Sequence, residues 1–352
     1  MAELMEYLER AVSDQASDLF LVAGGPVSEK LDGRIQPIGT ERLMPPDTKK
    51  YISEIYGMAN RSMDAYLERG DDDFSFAVPG LARFRVNAYR QRSSMAAVVR
   101  VVSFDIPDWQ KIHIPEQVMD LADTSHGMIL VTGTAGSGKS TTQACIIDRI
   151  NRTRDCHIIT LEDPIEFLHR NQRSIVSQRE IAIDTADYLS ALRACLRQAP
   201  DVILLGEMRD ADTIHTAITA AETGHTLIAT LHTKGAVNAI DRIVDSFSAA
   251  HQAQIRVMLS SVLQTVVSQQ MLPDKFGGMV PAFEVMHMNS AIRGLIRDNK
   301  NHQINNAIAA GRAEGMITMD QSILSLYRAG VITKETALDY ADNPEQLRRQ
   351  LV

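Results

Sequence analysis

The sequence predicts an α/β protein in two parts. A small α+β domain spans residues 1–105, and a larger domain over 113–352 is built on a mostly parallel sheet. Three observations carry this. The 352 residues suggest two domains, and a hydrophobic content of 45% is enough to bury a real core. Apolar strand-like runs near 128–132, 157–161, 202–205 and 226–231 alternate with helical patterns, the signature of a parallel sheet covered on both faces. Between the first of these runs and its helix stands Gly133-Thr134-Ala135-Gly136-Ser137-Gly138-Lys139-Ser140, which fits the phosphate-loop pattern G-x-x-x-x-G-K-[ST].

The elements follow in chain order. Residues 1–10 are acidic and amphipathic, which predicts a leading helix and excludes a signal peptide. After it come the segments 18–22 and 82–89, of which the second alternates in character and reads as a strand, punctuated by the turn signals Gly24-Gly25-Pro26, Asp32-Gly33 and Pro79-Gly80. Proline and acidic residues over 105–109 break any regular pattern, so 106–112 reads as a linker. Residues 141–150 place apolar side chains at helical spacing behind the phosphate loop. From about 249 onward the pattern reads as helical to the end. The most apolar stretch, 257–272, is too short and too polar to span a bilayer. Cys145, Cys156 and Cys195 are widely spaced, which excludes a C-x-x-C zinc site or a disulfide framework and fits a reducing compartment. A net charge of −8 argues against a nucleic-acid partner.

The chemistry gathers at predicted strand ends. In the loop, Gly133, Thr134, Ala135, Gly136, Ser137 and Gly138 let successive N–H groups face phosphate oxygens, and the helix behind adds its positive end through Thr141. Lys139 would reach the β- and γ-phosphates of ATP, and the Ser140 hydroxyl would ligate Mg²⁺. Glu207 follows the buried run 202–205 and supplies the second acidic strand end, holding Mg²⁺ through water. Glu162, Asp163 and Glu166 follow another strand, with Glu162 best placed to activate water. His225 and His232 bracket the strand at 226–231, and the expectation is that both flank the sheet edge that carries the phosphates. Arg83, Arg85, Arg90, Arg92 and Arg100 cluster in the first domain. They read either as a solvated face or as arginine fingers acting on a neighbouring subunit.

Together, Gly133–Ser140, Leu161-Glu162-Asp163-Pro164-Ile165-Glu166-Phe167, Gly206-Glu207-Met208-Arg209-Asp210 and the two histidine segments resemble the boxes of the secretion ATPase superfamily. Within it, the chain is most similar to the retraction ATPases of bacterial type IV pili. The resemblance implies a PAS-like N-terminal domain and a RecA-like ATPase domain. It implies Glu162 as catalytic glutamate, Glu207 as Walker B acid, a histidine box of His225 and His232, and nucleotide-directed Arg83, Arg85 and Arg100. It also implies a cytoplasmic homohexamer at the inner face of the membrane, coupled to an inner-membrane platform protein and to a paralogous retraction ATPase. Ala291-Ile292-Arg293-Gly294-Leu295-Ile296-Arg297 resembles a motif associated with retraction and reads as a partner-coupling helix, with Gly294 where the family has Asn. Ala199 likewise replaces an acidic residue. The alternatives are a pilus-assembly or type II secretion ATPase of the same superfamily, or a RecA-like nucleic-acid translocase.

Overall fold

The computed structural model describes residues 4–31, 33–102 and 104–351. The first three residues of the expected leading helix, and Asp32 of one turn, lie outside the described residues. The chain divides into two compact units. One runs to Asp105 and includes Ile165–Leu168; the other holds Ile106–Pro164 and His169 to the C-terminus.

The first unit opens with α1 (Leu4–Ser13), followed by β1 (Asp18–Leu21), β2 (Ser28–Leu31), β3 (Arg34–Pro37), α2 (Pro45–Met58), α3 (Asp64–Arg69), β4 (Asp71–Val78), β5 (Ala82–Gln91) and β6 (Ser94–Val102). Its sheet has the order β3-β2-β1-β6-β5-β4, with every pair antiparallel. Leu4, Tyr7, Leu8 and Ala11 recur at helical spacing on α1 and are buried. They join Tyr51, Ile52 and Ile55 of α2 over the sheet face formed by Phe84, Val86 and Val99. Strand alternation puts Arg83, Arg85 and Arg100 on the opposite face, whereas Arg90 has the parity of the core residues and lies over the Tyr66 ring. Arg85 pairs across the strands with Arg100, and Arg100 pairs with Asp18.

The second unit follows as α4 (Glu116–Met119), β7 (Gly127–Thr132), α5 (Lys139–Thr153), β8 (His157–Glu162), β9 (Ile175–Glu180), α6 (Tyr188–Cys195), β10 (Val202–Leu205), α7 (Ala211–Glu222), β11 (Thr226–Leu231), α8 (Ala236–Asp245) and α9 (Ala249–Val262). It closes with β12 (Leu263–Pro273), β13 (Met279–His287), α10 (Ser290–Arg297), α11 (Ile304–Ala310), α12 (Met319–Arg328), α13 (Lys334–Tyr340) and α14 (Pro344–Arg348). The sheet order is β13-β12-β7-β11-β10-β8-β9, parallel except for the β12–β13 hairpin. Every residue of β7 and β11 is buried, as a sheet covered on both faces requires. Ile129, Val131, Ile158 and Ile228 face α4 and α5. Leu130, Ile159, Ile203 and Leu227 face α6, α7 and α9. Ile106, Trp109 and Ile112, from the segment read as a linker, pack against the α5 side.

Two expectations need correction. The region after 249 is not all helical, because β12 and β13 add two strands to the sheet. The run from Val262 to Leu272 is nearly continuous in apolar and small polar residues, so neither period shows, and only its β-branched Thr265, Val266 and Val267 hint at a strand. The segment read as a partner-coupling helix, α10, turns the expected face inward. Ile292 and Ile296 are fully buried in the main core, and Leu295 packs against it. Arg293 donates to the carbonyls of Ser260 and Ser261 and to Gln264 Oε1, so it closes the C-terminus of α9 where carbonyls lack helical partners.

Candidate active site

The phosphate loop lies where β7 turns into α5, at the carboxyl ends of the parallel strands. Its glycines are there for space as well as torsion. A Cβ on Gly133 would collide with the Gln269 carbonyl and lie 2.5 Å from Ser137 Oγ, and one on Gly138 would stand 2.8 Å from Gln269 Nε2. Gly138 also adopts φ +87° to start α5. Strand β12 is therefore a template against which the loop is pressed. Gln269 completes the seat by accepting the Thr142 hydroxyl (2.8 Å) through Oε1. The hydroxyls of Ser137 and Thr132 are buried and find no hydrogen-bond partner among the described residues. Orphaned donors in a curled loop at a helix N-terminus suit a phosphate chain. Thr134, Ala135 and Gly136 form the exposed crest of the loop, and Ser140 and Thr141 start the helix half-buried.

Lys139 is buried, and its Nζ donates to the carbonyls of Gly133 and Thr134, both at 2.9 Å. The same Nζ lies 3.4 Å from His232 Nδ1. His232 Nε2 in turn lies 3.5 Å from Glu207 Oε1. One imidazole thus links the loop lysine to the acid that follows β10. Glu207 Oε2 accepts from Arg209 Nε at 2.6 Å. Glu162 ends β8, beside β10, and its Oε1 accepts from Thr160 Oγ1 (2.5 Å) and Gln178 Nε2 (3.2 Å). Strand direction brings Lys139, Glu162, Glu207 and His232 to one end of the sheet.

His225 is a correction. β11 runs parallel to β7, with Thr226 beside Gly127 and Leu231 beside Thr132. His225 therefore sits at the amino end of the strand, roughly 23 Å of strand from His232 at about 3.3 Å per residue. Its Nδ1 contacts the Ala220 carbonyl (2.9 Å) and the Thr223 hydroxyl (3.1 Å), which fastens the end of α7. Glu166 lies in the short segment grouped with the first unit. In that unit Arg83 and Arg85 are half-buried on the outer sheet face, and Arg100 Nε is paired with Asp18 Oδ1 at 2.9 Å.

A cavity of about 580 Å³ adjoins the loop, lined by Ile112, Ile114, Thr141, Met271, Phe276 and Val280 among others. Its size and apolar walls suit a nucleoside. It escapes sequence reasoning because its walls come from the segment read as a linker and from the unforeseen β12–β13 hairpin. The phosphate pattern alone marks the position of one wall, through Thr141.

A parallel sheet with a phosphate loop, an acid at each of two neighbouring strand ends and a nucleoside-sized cavity beside the loop define a P-loop ATPase. The chain belongs to the Type II/IV secretion system protein family, whose model matches residues 2–339. It is 43% identical over 347 residues to the type IV pilus retraction ATPase PilT of Pseudomonas aeruginosa, covering 97% of this chain and 99% of that one. It is 46% identical over 319 residues to a twitching motility protein of Neisseria gonorrhoeae, covering 90% and 85% of the two chains. A crystal structure of the pilus retraction motor PilT with bound ADP superposes with a TM-score of 0.90 at 44% identity, covering 99% of this chain and 100% of that one.

Proposed function

We propose that the protein is an ATP-driven motor for type IV pilus retraction. It acts as a homohexamer at the cytoplasmic face of the inner membrane, on a platform protein and alongside a paralogous ATPase. The observation that carries the reading is the Lys139–His232–Glu207 chain beside Glu162, in a chain similar over nearly its whole length to a retraction ATPase.

In this reading the loop N–H groups and Ser137 hold the phosphates, and the cavity beside Thr141 takes the base. Lys139 releases the Gly133 and Thr134 carbonyls and stabilises charge on the transferring phosphate. Glu162, held by Thr160 and Gln178, orients water and accepts its proton. His232 senses the γ-phosphate through its contact with Lys139. The Ser140 hydroxyl and, through water, the Glu207 carboxylate are hard oxygen donors fit for Mg²⁺, which would neutralise phosphate charge. Arg83 and Arg85 complete the site of a neighbouring subunit, and Arg100 joins them if released from Asp18. Among the described residues no helix is long and apolar enough to cross a membrane; in this reading the platform protein supplies the attachment.

A deletion strain scored for surface pili and twitching tests the reading. Excess pili without motility is the expected result, restored by the parent gene and not by Lys139→Ala. Loss of pili would assign the protein to assembly instead, and normal pili with normal motility would rule out both.

A further inference from the structure

The seat of Glu162 follows from the register of two strands. β8 and β9 run parallel, with Thr160 directly beside Gln178. Strand alternation puts Glu162 on the same face as these two residues. Its Oε1 therefore meets two donors from neighbouring strands, Thr160 Oγ1 at 2.5 Å and Gln178 Nε2 at 3.2 Å. A hydroxyl can turn to donate or accept, whereas the glutamine is fixed from its other side.

The oxygen of the Gln178 amide accepts the backbone N–H of His169 at 2.8 Å. A backbone N–H only donates, so the amide atom that faces it is the oxygen. The atom left for Glu162 is the nitrogen, which in turn only donates. His169 is itself a fixed point. The loop that carries it is fastened to α5 by Asn151, which is fully buried, donates to the Arg170 carbonyl (2.7 Å) and accepts the Gln172 N–H (3.1 Å). The helix that opens at Lys139 thus anchors the amide that steadies Glu162.

We propose that Gln178 is a positioning residue for hydrolysis, an obligate donor that holds the Glu162 carboxylate in place relative to the helix behind the phosphate loop. The proposal rests on the role given above to Glu162. The orientation of the amide carries it. A glutamine able to turn over would offer Glu162 an oxygen as readily as a nitrogen, and two acceptors face to face repel. With the oxygen held by His169, the donor toward Glu162 is permanent. A small displacement of a group that aligns the attacking water is felt in turnover.

The full-length chain tests this with two variants that differ in one respect. Gln178→Glu keeps an oxygen for the His169 N–H, removes the donor to Glu162 and sets a second carboxylate beside it. Gln178→Met, of similar length, removes donor and acceptor together. In both, kcat for phosphate release should fall about tenfold or more, as expected for one lost hydrogen bond to a charged group, with KM for Mg-ATP within about twofold of the parent. Gln178→Glu should fall at least as far as Gln178→Met. In a Glu162→Gln chain, adding Gln178→Met should change the residual kcat by less than about twofold, because the donor acts through that carboxylate. A Gln178→Glu variant equal to the parent would make the residue an anchor for the loop only and overturn the proposal. An undiminished further loss in the Glu162→Gln chain would also overturn it, as would a raised KM with kcat unchanged. So would loss of melting temperature, oligomer and turnover together in both variants. A parent without Lys139-dependent phosphate release would overturn the functional reading, and the proposal with it.

Discussion

At the scale of single residues, Lys139 carries the strongest expectation. It is buried and tied to Gly133, Thr134 and His232. Lys139→Ala should lower steady-state phosphate release by at least about a hundredfold, since one charge-stabilising donor in such a site is worth that much. The two glutamates should separate by isothermal titration calorimetry and kcat. Glu162→Gln should keep Mg-ATP binding and slow hydrolysis on the order of a hundredfold or more. Glu207→Ala should weaken Mg²⁺-dependent binding as well. If Glu162→Gln hydrolyses normally while Glu207→Gln is inactive, the roles are reversed. Glu284 gives a prediction in pH. It is buried, and burial pushes its carboxyl above the ordinary value of 4.5, with Asp342 and Asp320 adding and the N–H groups of Ala236 and Met319 opposing. The folded state therefore holds a proton that the unfolded chain has released. That stabilisation is complete below the ordinary value and is lost as pH rises through the raised one. Melting curves should show the parent losing stability relative to Glu284→Gln as pH climbs above 4.5; a constant difference would contradict this.

At the scale of elements, α10 offers a clean test of packing. A Cβ on Gly294 would meet nothing within 4 Å. Gly294→Ala should therefore stabilise the helix by about 0.5–1 kcal/mol, which raises the melting temperature by roughly 1–4 °C in a unit of this size. An unchanged or lower value would mean that the glycine has another purpose. Ile292→Ser should cost about 2–4 kcal/mol and reduce soluble protein, because it empties a fully buried site. Any partner surface on α10 must then lie on its exposed residues, Ser290, Ala291 and Arg297.

The same elements show what a sequence makes legible. The phosphate loop and the β7–α5 unit were readable because their signal is contiguous: an apolar run, three glycines, a lysine and a helical period. Glu162 and Glu207 were readable because strand ends in parallel sheets converge. The hairpin of β12 and β13 was not, since a doubly buried strand carries no alternation to tell it from helix. The cavity was unreadable for a different reason, as its walls are brought together only by the tertiary fold. His225 was misjudged although the signal existed: the two ends of one strand lie at opposite edges of the sheet. Arg100 looked available until the register placed Asp18 beside it.

At the scale of the whole molecule, the account makes the oligomer the working enzyme. Arg85 and Arg100 lie directly opposite on neighbouring strands of an outer sheet face, an arrangement that favours an anionic partner. Arg85→Ala should abolish turnover while leaving nucleotide binding intact. Mixing it with inactive Lys139→Ala subunits should restore part of the activity, because some interfaces then combine an intact loop with an intact arginine. No recovery across mixing ratios would contradict completion of the site by a neighbour. The central claim is that ATP is hydrolysed at the Gly133–Ser140 loop of an assembled ring. Steady-state phosphate release by the full chain and by Lys139→Ala, followed against protein concentration with light scattering on the same samples, tests it most directly. The account predicts release by the parent that rises per subunit as the oligomer forms, and none above background from the variant. Equal rates from the two proteins, or full activity from monomeric parent, would contradict it.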